Sequence, residues 1–130
     1  EDLRKKVLEA SDLVETIANQ EWYIRREIEN LNDDIMRIGE QLSEPIVVRT
    51  QYNFSEKEMA INTDLGIGII RENTERIGYI GYEGYGTEDI ELIIYHLHKL
   101  LSNLHDQLTA EIQERKHVME QITTITKKIK

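Results

Sequence analysis

Two stretches of the chain place apolar side chains in alternating steps of four and three. The first passes through Leu3, Val7, Ala10, Val14, Ile17, Glu21, Ile24, Ile28, Leu31, Ile35, Ile38 and Leu42, and eleven of these twelve are apolar. With Val7 taken as heptad position a, the remaining a positions are Val14, Glu21, Ile28, Ile35 and Leu42, and the rest of the series falls at d. A 3.5-residue period held this long predicts a helix with a narrow seam and left-handed supercoiling, not an amphipathic helix laid on a globule. Pro45 ends it, because the residue before proline is driven out of the α region.

The second stretch repeats the steps through Ile90, Ile94, Leu97, Leu101, Leu104, Leu108, Glu111, Arg115, Val118, Ile122, Ile125 and Ile129, ten of them apolar. Thr87 is the expected N-cap, and Glu88, Asp89 and Glu91 put negative charge at the positive end of the helix dipole. At ~1.5 Å per residue each helix is about 60 Å long. Pairing Leu42 with Ile90, Leu31 with Leu101, Val14 with Val118 and Leu3 with Ile129 makes every a meet a d, as an antiparallel seam requires. The same register sets Glu21 opposite Glu111, with Arg25 and Arg115 about a turn away. These four are expected to form a charged cluster that costs stability and fixes register; the alternative is a flared, solvated stretch of coil.

Between the helices, 46–52 is β-branched and reads as a strand, and 58–62, 66–71 and 76–82 are further candidates. Asn53-Phe54-Ser55, Asn62-Thr63-Asp64 and residues 72–75 are the expected turns. The fold class is α+β, mostly α: a coiled-coil helix in 1–44, a small antiparallel β region in 45–86, and a coiled-coil helix in 87–130. So small a sheet is marginal alone and leaves open edges, so self-association is expected, with Ile46, Val48, Tyr79, Ile80 and Tyr82 at the contact between copies.

Ile93 and Leu100 at g, and His98, His105, Ile112 and Met119 at e, widen the apolar face of the second helix. Such a face implies more than two helices, or a helix packed on another element. On the first helix, Trp22 and Tyr23 lie away from the seam. Large aromatics are favoured anchors, which makes this pair the expected contact for a protein partner.

Composition narrows the function classes. The net charge is −9, and residues 1–44 alone carry −6, which opposes binding to nucleic acid or to an anionic membrane surface. No apolar run approaches the ~20 residues of a membrane span. The chain has no cysteine, excluding disulfides, thiolate metal sites and a cysteine nucleophile. A cytoplasmic location is the simplest expectation, although a cysteine-free chain suits an extracellular one equally.

His96, His98, His105 and His117 lack the i, i+4 spacing that brings two imidazoles to one ion, so no metal site is expected. Gly66-Ile67-Gly68 is followed by no helix, and the dinucleotide-loop reading fails on context. The Gly-Tyr repeat from Gly78 to Gly86 lacks the basic residues of a base-stacking surface and reads as strand and turn. Paired acids such as Asp33-Asp34 lie on helix surfaces with no cleft implied. No catalytic residue, cofactor or enzyme activity is expected.

The layout, with Ser43-Glu44-Pro45-Ile46-Val47-Val48 leading into the first strand and Gly84-Tyr85-Gly86 returning to the second helix at Thr87, resembles the prefoldin family, particularly its longer subunit type with two β-hairpins. The resemblance implies a β platform assembled from several subunits, helical hairpins projecting as tentacles, and a holdase that binds non-native protein clients. Prefoldin tips lose regular pairing, whereas these heptads run almost to both termini. A second expectation follows from the start in heptad phase without methionine or N-cap, the basic Arg4-Lys5-Lys6 where acid is preferred, and the end in phase at Ile129. Those features resemble an excerpt from a longer coiled coil, its middle a hinge or dimerisation head, as in coiled-coil ATPases or structural scaffolds. A parallel homodimeric stalk capped by the sheet is a third reading.

Overall fold

The computed structural model of the protein describes residues 1–50, 58–70, 76–82 and 84–129. The elements are α1 (Asp2–Glu40), β1 (Val47–Thr50), β2 (Glu58–Asn62), β3 (Gly66–Ile70), β4 (Ile77–Tyr79) and α2 (Thr87–Ile129). The chain is α+β and mostly helical, with a four-stranded antiparallel sheet in the order β1-β2-β3-β4 between two long helices. Each strand falls inside a segment expected from β-branching and turn residues. The expected turns at 53–55 and 72–75, and strand residues 51, 52 and 71, lie outside the described residues.

Local chemistry shapes the β2–β3 hairpin. The Asn62 Oδ1 accepts hydrogen bonds from the Asp64 N–H (2.8 Å) and the Leu65 N–H (3.2 Å), bending the chain on its own side chain. Gly66 follows at φ +90°, the left-handed residue that returns such a turn to the ladder. The Asn32 side-chain amide of α1 occupies the space a Cβ on Gly66 would need, so the position requires glycine twice over. Thr63 ties the sheet to the segment after α1: its Oγ1 accepts from the Ile46 N–H (2.9 Å), and its N–H donates to the Ile46 carbonyl (3.0 Å).

Cross-strand register assigns the faces. Val48 lies opposite Ile61, Ile61 opposite Ile67, and Met59 opposite both Thr50 and Ile69, so these six side chains share one face. All six are buried there with Ile28 and Ile35 of α1 and Ile90, Ile93, Leu100 and Leu104 of α2. On the other face Tyr79 and Ile77 of β4 lean over Gly68, filling the space above a residue with no side chain.

The helices seat on this core through stripes that share Ile28, Ile35, Ile90 and Leu104 with the heptad seams and take in neighbours beside them. On α1 the buried residues are Ile28, Asn32, Ile35 and Gly39; on α2 they are Asp89, Ile90, Ile93, His96, Leu100 and Leu104. Ile93 and Leu100, at the edge of the heptad seam, are fully buried, while the seam residue Ile94 is 57% exposed. The g side of the wide apolar face of α2 thus packs on another element, the sheet, whereas its e side, His98, His105, Ile112 and Met119, is exposed. The start of α2 also differs from expectation. The Gly86 carbonyl accepts the first helical bond from Ile90, and the Asp89 carboxylate reaches back to the Gly86 N–H (2.9 Å), so Gly86 rather than Thr87 is the capping residue.

The antiparallel seam expected between the helices is not established within the chain. α1 packs on β3 and β2, and α2 on β1 and β2. Leu3 and Ile129, expected partners, are each 80% exposed. The apolar face of the sheet claims the same helical segments, and that seating sets their relative position.

Candidate protein-interaction surfaces

Every residue in 1–24 and in 112–129 is exposed, including the seam side chains Leu3, Val7, Val14 and Ile17 on α1 and Val118, Ile122 and Ile125 on α2. These two arms extend beyond a head formed by the sheet and the helical segments seated on it. Where α1 leaves the head, Arg25 holds it to the segment before α2. The Arg25 guanidinium donates to the Tyr85 carbonyl (3.0 Å) and lies 5.1 Å from the Tyr85 ring centroid. The Tyr85 hydroxyl is 3.5 Å from both the Arg25 carbonyl and a Glu29 carboxylate oxygen. Burial, with the Glu29 charge second and Arg25 opposing, raises the Tyr85 pKa.

That clamp explains why the expected charged cluster is not assembled. Arg115 pairs with Glu111 one turn away on α2, while Arg25 is engaged with Tyr85. From the start of α2 to Glu111 is ~36 Å at 1.5 Å per residue, so Glu21 and Arg25 are far from Glu111 and Arg115. An exposed local pair of this kind contributes little to stability.

Trp22 and Tyr23, expected as partner contacts, are 61% and 62% exposed just outside the head, with Arg26 5.1 Å from the Trp22 ring centroid. The residues expected between sheets of two copies divide. Ile46, Val48 and Ile80 are buried within the chain's own core, because the helices cover the face on which they lie. Tyr79 is half-buried over Gly68, and Tyr82 is exposed.

Among the described residues no group of three or more histidines and acids is placed to hold a metal ion. His98, His105 and His117 are exposed, whereas His96 is buried beneath α2. Burial, and secondarily the Lys99 ammonium, lowers the His96 pKa below the usual imidazole value. The folded state therefore resists protonation that the unfolded chain accepts. Stability from this group is complete above about pH 6.5 and declines as pH falls from there through the lower folded pKa. The unfolding free energy of the wild type from urea denaturation is expected to drop between about pH 7 and 5.5, by no more than ~1.4 kcal/mol per pH unit, and that of His96→Leu to drop less. Parallel profiles for the two proteins would assign the effect to other groups.

Sequence reasoning passed over Asn32 and Gly39, and read Tyr85 only as part of a turn and His96 only as a histidine without a metal partner. Asn32 is 5% exposed, and its Oδ1 accepts from the Ile67 N–H at 2.6 Å. The signal was present: Asn32 and Gly39 each follow a seam residue, Ile28 and Ile35, by four, so the four recur in steps of four, three and four along one edge of the seam. No helix among the described residues is long and apolar enough to cross a membrane. Comparison with family models, with curated proteins and with solved structures found no match to this chain.

Proposed function

We propose that the chain is a non-enzymatic coiled-coil assembly module, in which a small α+β head orients two helical arms and the arms bind protein. One observation carries this reading: both arms are solvent-exposed on all sides while keeping a/d seams, from Leu3 to Ile24 and from Arg115 to Ile129. Isolated helical arms are marginal in water, and an apolar seam supplies the missing stability when a partner covers it. The step pattern suits arms paired in either direction. The reading matches a dimerisation head of a coiled-coil scaffold, with Trp22 and Tyr23 as an additional contact, and needs no cofactor.

A prefoldin-like holdase is the second reading, favoured by the same uncovered apolar stripes, which a non-native chain would meet as readily as a folded one. Light scattering and an aggregation assay separate the two. The assembly module is expected to exceed its 15.3 kDa chain mass while leaving aggregation of an unrelated denatured protein unchanged. Suppression at near-stoichiometric ratio supports the holdase, and a monomer without suppression removes both.

A further inference from the structure

The α1 arm is acidic between two basic ends. From Val7 to Ile24 it carries Glu9, Asp12, Glu15 and Glu21 and no basic side chain, with Arg4-Lys5-Lys6 before this stretch and Arg25-Arg26 after it. All of 7–24 is exposed. The α2 arm has no such bias: over 112–125 it balances Glu114 and Glu120 against Arg115 and Lys116, and Lys127 and Lys128 stand only at its tip. Laid along the acidic stretch, a second copy supplies no continuous matching charge.

The acids stand where a helix on the seam can reach them. With Val7 at a, the e and g positions flanking the seam in this stretch are Ser11, Leu13, Ala18 and Gln20, none of them charged. Glu15 lies one turn beyond Ser11, and Glu9 one turn before Leu13, so each acid stands just behind a flanking residue. A helix seated on Val7, Ala10, Val14 and Ile17 passes close over the short Ser11 and Ala18 side chains. Lysine or arginine at its own flanks, with the stem lying along apolar surface, reaches Glu15 on one side and Glu9 on the other. Glu21 interrupts the seam itself and favours a cation at that level. The basic residue one turn on, Arg25, is engaged with Tyr85.

We infer that the α1 arm is a docking surface for a basic amphipathic helix of another protein, with an apolar stripe and Lys or Arg beside it. The helix is about 18 residues, or ~27 Å, in length, because beyond 7–24 it would meet the basic ends. Seam burial supplies the attraction, and charge selects the partner. This rests on the assembly reading and names the chemistry of a partner.

Two synthetic helices of about that length and without tryptophan test it; both carry Leu at a and d, one with Lys and the other with Glu at e and g. Each is titrated into the full-length chain and followed by Trp22 emission, which reports this arm because the chain has one tryptophan. The Lys helix is expected to shift the emission to the blue, saturably and at least about tenfold more tightly than the Glu helix, the ratio narrowing as salt rises. Combining Glu9→Lys, Glu15→Lys and Glu21→Lys is expected to invert the preference. Glu114→Lys with Glu120→Lys, on α2, is expected to leave it as it was.

Equal affinity for the two helices would overturn the inference, as would a preference that follows the α2 substitutions. So would binding of a labelled Lys helix, seen by anisotropy, without change at Trp22. If the chain exceeds its 15.3 kDa mass and neither helix binds, a second copy covers the arm, and the inference falls while the assembly reading stands. Monomer mass with neither helix bound would remove the assembly reading as well.

Discussion

Ile93→Ala is expected to lower the unfolding free energy of the head by about 3 kcal/mol, and Ile94→Ala, one residue on, by less than ~0.5 kcal/mol. Ile93 has no exposed surface and lies in the core with Leu100, whereas Ile94 is 57% exposed. Truncating the first removes buried methyl and methylene groups and leaves a cavity bounded by the sheet, which the pleated backbone cannot collapse to fill. Truncating the second removes surface already in water. The contrast is informative because the heptad pattern ranks the two the other way, with Ile94 at a and Ile93 at the seam's edge. Urea denaturation of both variants reads it, and a larger loss at Ile94 would mean that α2 seats on the sheet through its heptad seam.

Gly39→Ala is expected to destabilise by about 3 kcal/mol, although the same change in an ordinary helix stabilises by ~1 kcal/mol. A Cβ at Gly39 would overlap the backbone carbonyl of Thr63, in the turn that closes the β2–β3 hairpin. Backbone cannot swing aside as a long side chain does, and Thr63 is itself fixed by two hydrogen bonds to Ile46. Either the last turn of α1 lifts from the sheet or the hairpin shifts, and both loosen the Asn32 bond to Ile67. Gly84→Ala is the control: nothing lies within 4 Å of the added carbon, and its cost is expected to stay within ~0.5 kcal/mol. A stabilised Gly39→Ala protein would show that α1 does not approach the turn this closely.

The two contrasts turn on one physical point. A heptad pattern says that a helix has a seam; it does not say what covers it. In 25–40 and 87–108 the sheet outcompetes a second helix, because its face of Val48, Met59, Ile61, Ile67 and Ile69 offers apolar surface from three strands at once. The helices turn toward it, through Ile28, Asn32 and Ile35 on one side and Ile93, His96 and Leu100 on the other. Polar members of those stripes are tolerated because each finds a role, as Asn32 does in holding the Ile67 N–H. Beyond the head the sheet offers nothing, and the seams of both arms stay exposed. The same competition removed Ile46, Val48 and Ile80 from the surface, since a sheet covered by its own helices has no need of a second sheet on that face.

Element type and extent were set by local chemistry and could be read directly from the chain. Long stretches without proline, and but for Gly39 without glycine, make α1 and α2, β-branched runs between turn residues make the strands, and Asn62 with Gly66 makes the hairpin, because each depends on neighbours a few residues away. Only the tertiary structure decided which helical stripe is buried, why Arg25 meets Tyr85 instead of the acids and arginine of α2, and why glycine is required at position 39. Those outcomes depend on contacts between residues 24 to 60 positions apart, where several apolar faces compete for the same partner and the winner is the one whose burial the whole assembly of elements permits.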